Sequence, residues 1–154
     1  MTVRIEITGP SFAQDAAVLA LLHTAFAPMD GRIDPPSSLH RTRVHDIALH
    51  RVEQVLLVAR HADMVVGCAF LSRRADHAYL GKLAVHPRHQ GQGIARRLID
   101  WAIELADRPV LRLETRVELV DNQRAFKKLG FVEVARTSHP GYDRPTSVTL
   151  ERLI

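Results

Sequence analysis

Residues 80–95 bring an apolar run, Leu80–Gly81–Lys82–Leu83–Ala84–Val85, up to a turn, Gln90–Gly91–Gln92–Gly93, and then to an apolar-periodic segment that begins at Ile94. The chemistry that such a junction performs is phosphate binding. Amides at a helix start have no carbonyl one turn back to bond, the turn points their hydrogens at one spot, and the helix dipole adds positive potential there. The turn therefore predicts that the protein holds a phosphorylated cofactor at Gln90 to Ala95. Two well-known phosphate motifs are excluded. There is no Gly–Lys–Ser/Thr for a P-loop, and the residue three positions beyond Gly93 is Arg96, not the third small residue of a dinucleotide fingerprint.

A turn of this kind needs a strand in front and a helix behind, and the surrounding pattern supplies both. Tyr79 to Val85 reads as the strand, and Gly93 to Ala106 as the helix, with Ile94, Leu98, Trp101, Ala102 and Leu105 on one face and Trp101 expected in the core. Ahead of them, Val3 to Ile7 alternates as a strand ended by Gly9–Pro10. Ser11 with Gln14 resembles a capping box for a first helix carrying Val18, Leu19, Leu22, Ala25 and Phe26. Ala27 to Ser38 is a loop by composition, placed to border or cover a site. Leu39 to His50 is a short second helix with Val44, Ile47 and Ala48 as its apolar positions, and Val55 to Ala59 with Met64 to Leu71 form a hairpin around Arg60 to Asp63.

After Pro109, Val110 to Arg116 alternates as a strand with Leu111 and Leu113 on one side. Asp121 or Asn122 is placed to cap a helix that stops at Gly130, and Phe131 to Arg136 and Ser147 to Leu153 close the chain around the loop Thr137 to Thr146.

The 154 residues fit a single domain spanning 1–154, and the 46% apolar and 25% charged content argues against disorder. The one cysteine, Cys68, lies in an apolar run, so the chain has no internal disulfide, core packing is the expected role, and a cytoplasmic location follows. No apolar stretch approaches a membrane span of about 20 residues, so export and insertion are not expected. The charge of +4 is spread along the chain and aromatics are only 5%, which leaves no concentrated basic face with stacking rings for nucleic acid.

With the later segments included, the chain resembles the GCN5-related N-acetyltransferase (GNAT) superfamily. That family's acetyl-CoA motif, Gln/Arg-x-x-Gly-x-Gly/Ala after Val-x-Pro, is matched by Gln90–Gly91–Gln92–Gly93–Ile94–Ala95 following Val85–His86–Pro87. The overlapping Arg88-x-x-Gly91-x-Gly93 also fits the pattern, and the distance from Val85 selects the Gln90 register. Lys128–Leu129–Gly130–Phe131 matches the family's Lys-x-Gly-Phe at the end of the last helix, and the likeness is specific over Tyr79 to Ala135.

The resemblance implies a mixed α/β fold: a splayed, mostly antiparallel sheet of six to seven strands flanked by about four helices. It implies acetyl-CoA as cosubstrate and no metal. Backbone groups of Leu83, Ala84 and Val85 would pair with the pantetheine arm like an added strand, and the amides of Gly91 to Ala95 would hold the pyrophosphate. Leu83 and Val85 share a strand face and are expected to turn their side chains into the core. A small-molecule or peptide amine is the implied acceptor, and a homodimer is left open.

Acetyl transfer to an amine needs a proton removed from the ammonium form, a polarised carbonyl and a protonated leaving thiol. Leu113–Glu114–Thr115–Arg116 matches a segment that carries the base glutamate in some protein N-terminal acetyltransferases of the superfamily, which makes Glu114 the base candidate, against a solvated or ion-paired strand glutamate. The family's acid tyrosine falls on Phe126, which can pack on the cofactor but cannot donate a proton. Its Asn-x-x-Ala falls out of register as well, and Asn122-x-x-Ala125 restores it only in a helix about one turn shorter. Tyr142, in the loop between the closing strands, is the replacement acid candidate, and Tyr79 a weaker one. Phe126 also keeps a non-catalytic acyl-CoA-binding module in view. For the acceptor, Asp30 and Asp34 could meet a cation and Arg32 and Arg41 a carboxylate.

Overall fold

A computed structural model describes residues 2–154. Its elements run β1 (Val3–Ile7), α1 (Asp15–Phe26), α2 (Val44–Glu53), β2 (Val55–His61), β3 (Met64–Arg73), β4 (Ala78–Val85), α3 (Ile94–Ala106), β5 (Val110–Arg116), α4 (Val120–Lys128), β6 (Val132–Thr137) and β7 (Ser147–Leu153). All seven strands join one sheet in the order β1-β2-β3-β4-β5-β7-β6. Every neighbouring pair is antiparallel except β4 and β5, which run parallel and pair only at Ala78 with Leu111 and Tyr79 with Arg112. Past that point each strand continues without the other, so the sheet is splayed at its fourth strand, as the resemblance implies.

Both faces of the central strands are covered, which is why β2 and β3 read as near-continuous apolar runs. Leu57, Leu71, Leu80, Leu111 and Leu150 pack with Leu98 and Ala102 of α3, while Leu56, Val58 and Phe70 pack with Val18 and Leu22 of α1 and Ile47 of α2. Between the pairs Cys68–Ala84 and Phe70–Gly81, β4 carries one extra residue, and Lys82 stands there at φ +50. The bulge reverses the strand's phase. Ala78 and Leu80 before it, and Leu83 and Val85 after it, all pack on the α3 side, whereas Ala84 turns to the α1 side. Cys68 is fully buried, as expected, while Leu83 and Val85 pack half-buried against the α3 side of the core.

Several boundaries differ from the sequence reading. Helix α1 starts at Asp15, not at a Ser11 cap, because the Gly9–Pro10 turn continues through Phe12, whose amide bonds the Gly9 carbonyl; the Gln14 side chain reaches instead to the Asp63 carbonyl. The segment from Leu39 splits into a 3₁₀ turn, Ser38–Arg41, and α2, because Asp46 takes the Arg43 amide and restarts the helix; Val44 is exposed there. Trp101 is 41% exposed instead of core. The buried row of α3 is Ile94, Leu98, Ala102 and Ala106 with Ile99, a four-residue spacing whose margin Trp101 occupies. Neither Asp121 nor Asn122 caps α4; both lie within it, because the helix begins at Val120 after Leu119. Its end at Gly130, φ +94, is as expected.

Candidate active site between the parted strands

Where β5 leaves β4, a cavity of about 320 Å³ opens through the sheet. It is lined by Tyr79 to Leu83 of β4, Leu113 to Arg116 of β5, Asn122 and Phe126 of α4, Phe26 at the end of α1, Met29, Ile33, Ser37 and Ser38 of the following segment, and His139 of the β6–β7 loop. The edge of β4 from Leu80 to Val85 has no strand partner on the β5 side and leads directly to the turn.

That turn is built from short-range bonds. The His86 imidazole accepts the Arg88 amide at 3.1 Å, and Gln90 Nε2 donates to the Val85 carbonyl at 3.3 Å, folding Gln90 back over the end of the strand. Gly91 and Gly93 stand at φ +77 and +79, and a Cβ at either would meet open space. The glycines are thus required for backbone conformation and not for room. The first helical bond runs from the Arg97 amide to the Gly93 carbonyl at 3.1 Å, so the amides of Ile94, Ala95 and Arg96 have no carbonyl behind them. A row of unpartnered amides at a helix N-terminus beside an unpaired strand edge fits an extended, phosphorylated cosubstrate.

Glu114 is exposed on the face of β5 opposite the buried Leu111 and Leu113, and it lines the cavity. Among the described residues it has no ion-pair partner, because both arginines on its strand face are engaged elsewhere. Arg112 binds Glu151 at 2.6 Å, and Arg116 Nη1 donates to the Pro35 carbonyl at 2.6 Å. Tyr79, at the last β4–β5 pair, lines the same cavity. Burial and then the Glu114 charge push its phenol up to about 12, which keeps it neutral.

Tyr142 lies outside the cavity lining, although its loop supplies His139. Its hydroxyl donates to Asp34 Oδ1 at 2.6 Å, and that bond, followed by burial and the Asp34 charge, raises its pKa. On the α4 wall, Asn122 and Phe126 face the cavity, with the Phe126 ring edge-on to Phe131 at 6.1 Å. Of the loop acids, Asp30 binds His40 at 2.7 Å and Asp34 is held by Tyr142 and Arg144, while Arg32 and Arg41 are exposed.

Two residues of the site escaped the sequence reading. Lys82 makes the bulge, and its one signal is a charged residue inside an apolar strand. Gln123, buried in α4, donates to the Arg116 and Val117 carbonyls at 3.1 Å each and fixes α4 to the end of β5. A polar residue there is indistinguishable in sequence from a surface one.

A parallel pair that parts over a cavity, with a bulged strand leading to an amide-bearing turn, is the arrangement that the GNAT resemblance implies. The sequence profile of the acetyltransferase (GNAT) family matches residues 18–131, and the chain belongs to that family. Solved structures with the same fold include the ribosomal-protein-S18-alanine N-acetyltransferase of Escherichia coli, with TM-score 0.73 and 19% identity over 99% of this chain and 94% of that one. Ard1 of Thermoplasma volcanium has TM-score 0.77 and 20% identity over 100% and 99%. A GNAT acetyltransferase of Elizabethkingia anophelis with acetyl-CoA bound has TM-score 0.69 and 17% identity over 99% and 98%. No curated protein matches the chain. No helix among the described residues is long and apolar enough to cross a membrane, and no cluster there could hold a metal ion.

Proposed function

We propose that the chain moves an acetyl group from acetyl-CoA to a primary amine of a small molecule or peptide by direct attack in a ternary complex. The observation that carries this reading is that Glu114, with no ion-pair partner among the described residues, lines the gap into which the free edge of β4 opens. Acetyl-CoA supplies the acetyl group as a thioester. The amides of Gly91, Gln92, Gly93, Ile94 and Ala95, with Gln90, hold its pyrophosphate; backbone groups of Leu83, Ala84 and Val85 hold its pantetheine arm; Asn122 and Phe126 wall the reacting end. A β4 backbone N–H polarises the acetyl carbonyl.

Glu114 takes a proton from the incoming ammonium, whose pKa near 10 leaves little free amine at neutral pH. Tyr142, bonded to Asp34 outside the cavity lining, is the proton donor candidate for the departing thiolate, a role in which its hydroxyl would leave Asp34 only after the amine has bound. The test is thiol release from acetyl-CoA over a panel of amines, with Glu114→Gln beside the parent.

Phe126 supports a second reading, a non-catalytic acyl-CoA-binding module, because the α4 side of the cavity offers a ring with no proton to give. Tight acetyl-CoA binding without thiol release on any amine would establish it. As to location, we infer a cytoplasmic protein from its lone cysteine, and fractionation of the native cell tests that.

A further inference from the structure

The segment between α1 and α2 forms one wall of the cavity through Met29, Ile33, Ser37 and Ser38, yet its middle is held by the opposite side of the molecule. The Asp34 carboxylate accepts the Tyr142 hydroxyl at 2.6 Å and an Arg144 nitrogen at 3.1 Å. The Asp34 amide donates to Glu118 Oε2 at 3.1 Å, and the next carbonyl, that of Pro35, accepts from Arg116 at 2.6 Å. The Arg144 guanidinium lies over the Tyr142 ring at 5.4 Å and reaches Glu118 at 4.0 Å.

Two adjacent residues are thus tied to β5, to the turn after it and to the β6–β7 loop, which supplies His139 to the same cavity. The contacts of Asp34 are exposed and weak by themselves, and the Arg116–Pro35 bond is part-buried. Bearing together on Asp34 and Pro35, between the wall residues Ile33 and Ser37, they hold the two walls at one separation. They also pair the acid of Asp34 with Tyr142 and Arg144, and Glu114 is the one carboxylate among the described cavity-lining residues.

The geometry points to Asp34 as a specificity-determining residue: the Asp34–Tyr142–Arg144–Glu118 clasp fixes the separation of the two cavity walls and with it the size of amine the cavity admits. This deepens the transferase reading and rests on it for the identity of the acceptor.

The test reads binding, so it does not need turnover. The Met29 methyl resonance of CoA-saturated protein is titrated with n-butylamine and with benzhydrylamine, in the parent and in Asp34→Ala and Arg144→Met. Both variants should shift the affinity ratio toward benzhydrylamine by at least about tenfold, the scale on which pocket size discriminates ligands. An unchanged ratio in folded variants, or an absence of amine binding in the parent, overturns the clasp. If the ratio shifts while the parent acetylates neither amine nor any other of a panel, the transferase reading fails and the clasp stands.

Discussion

The hydroxyl of Tyr142 donates a 2.6 Å hydrogen bond to Asp34 across 108 residues of sequence, joining the β6–β7 loop to the segment between α1 and α2. Because the bond favours the protonated phenol, Tyr142 in the folded chain ionises above its ordinary value of 10.0. Stability from a raised pKa is fully present below the unfolded value and is lost as pH climbs through the folded one. The melting temperature of the parent should therefore fall more steeply than that of Tyr142→Phe from about pH 10 upward. Tyr79 contributes equally to both proteins and cancels. Parallel curves would show that the bond does not persist in solution.

Burial pushes the Cys68 thiol up to about 12, with the Lys82 charge opposing weakly. The thiolate is the reactive form, so a disulfide reagent at pH 8 should leave the native protein unmodified over hours and label one thiol at once in denaturant. Prompt labelling of the native chain would place Cys68 outside the core.

Gly67 stands where β2, β4 and α3 meet. A Cβ there would come within 3.2 Å of both Ala59 Cβ and Ile94 Cγ2 and 3.3 Å of the Ala84 carbonyl. Ile94 opens α3 beside the amide turn, so an added methyl presses on the element that aims those amides. Gly67→Ala should cost about 1–3 kcal/mol in chemical denaturation and should weaken CoA binding without touching any ligand-facing side chain.

Gly93 holds φ +79 at the start of α3. Gly93→Asp forces a side chain into a left-handed backbone and adds negative charge at the turn. The dissociation constant for CoA by calorimetry should rise at least about tenfold, equivalent to about 1.4 kcal/mol, in a protein that stays folded by circular dichroism. An unchanged constant would move the pyrophosphate away from this turn.

The sequence was most legible where local pattern and local chemistry coincide. Strands Val110–Arg116 and Ser147–Leu153 have the bounds that the sequence predicts, and the glycine turn leads straight into α3 at Ile94. Features set by partners far along the chain were not legible. Trp101 shares the apolar periodicity of α3, but the helix is rotated so that the row from Ile94 to Ala106 is buried, an outcome set by the sheet beneath. The Lys82 bulge depends on register with β3. Asp34 read as a cation-binding candidate because nothing near it in sequence announces Tyr142 or Arg144. Glu114 was placed on the open face of β5 by strand period alone, while its lack of an ion partner depends on Glu151 and Pro35 occupying its neighbouring arginines.

The most direct test of the account is thiol release from acetyl-CoA in the presence of an amine panel, for the parent and Glu114→Gln. The parent should turn over at least one amine, and the variant should bind acetyl-CoA as the parent does while kcat falls by about 10²–10⁴, the scale of a lost general base. A variant as active as the parent would contradict the assignment of Glu114.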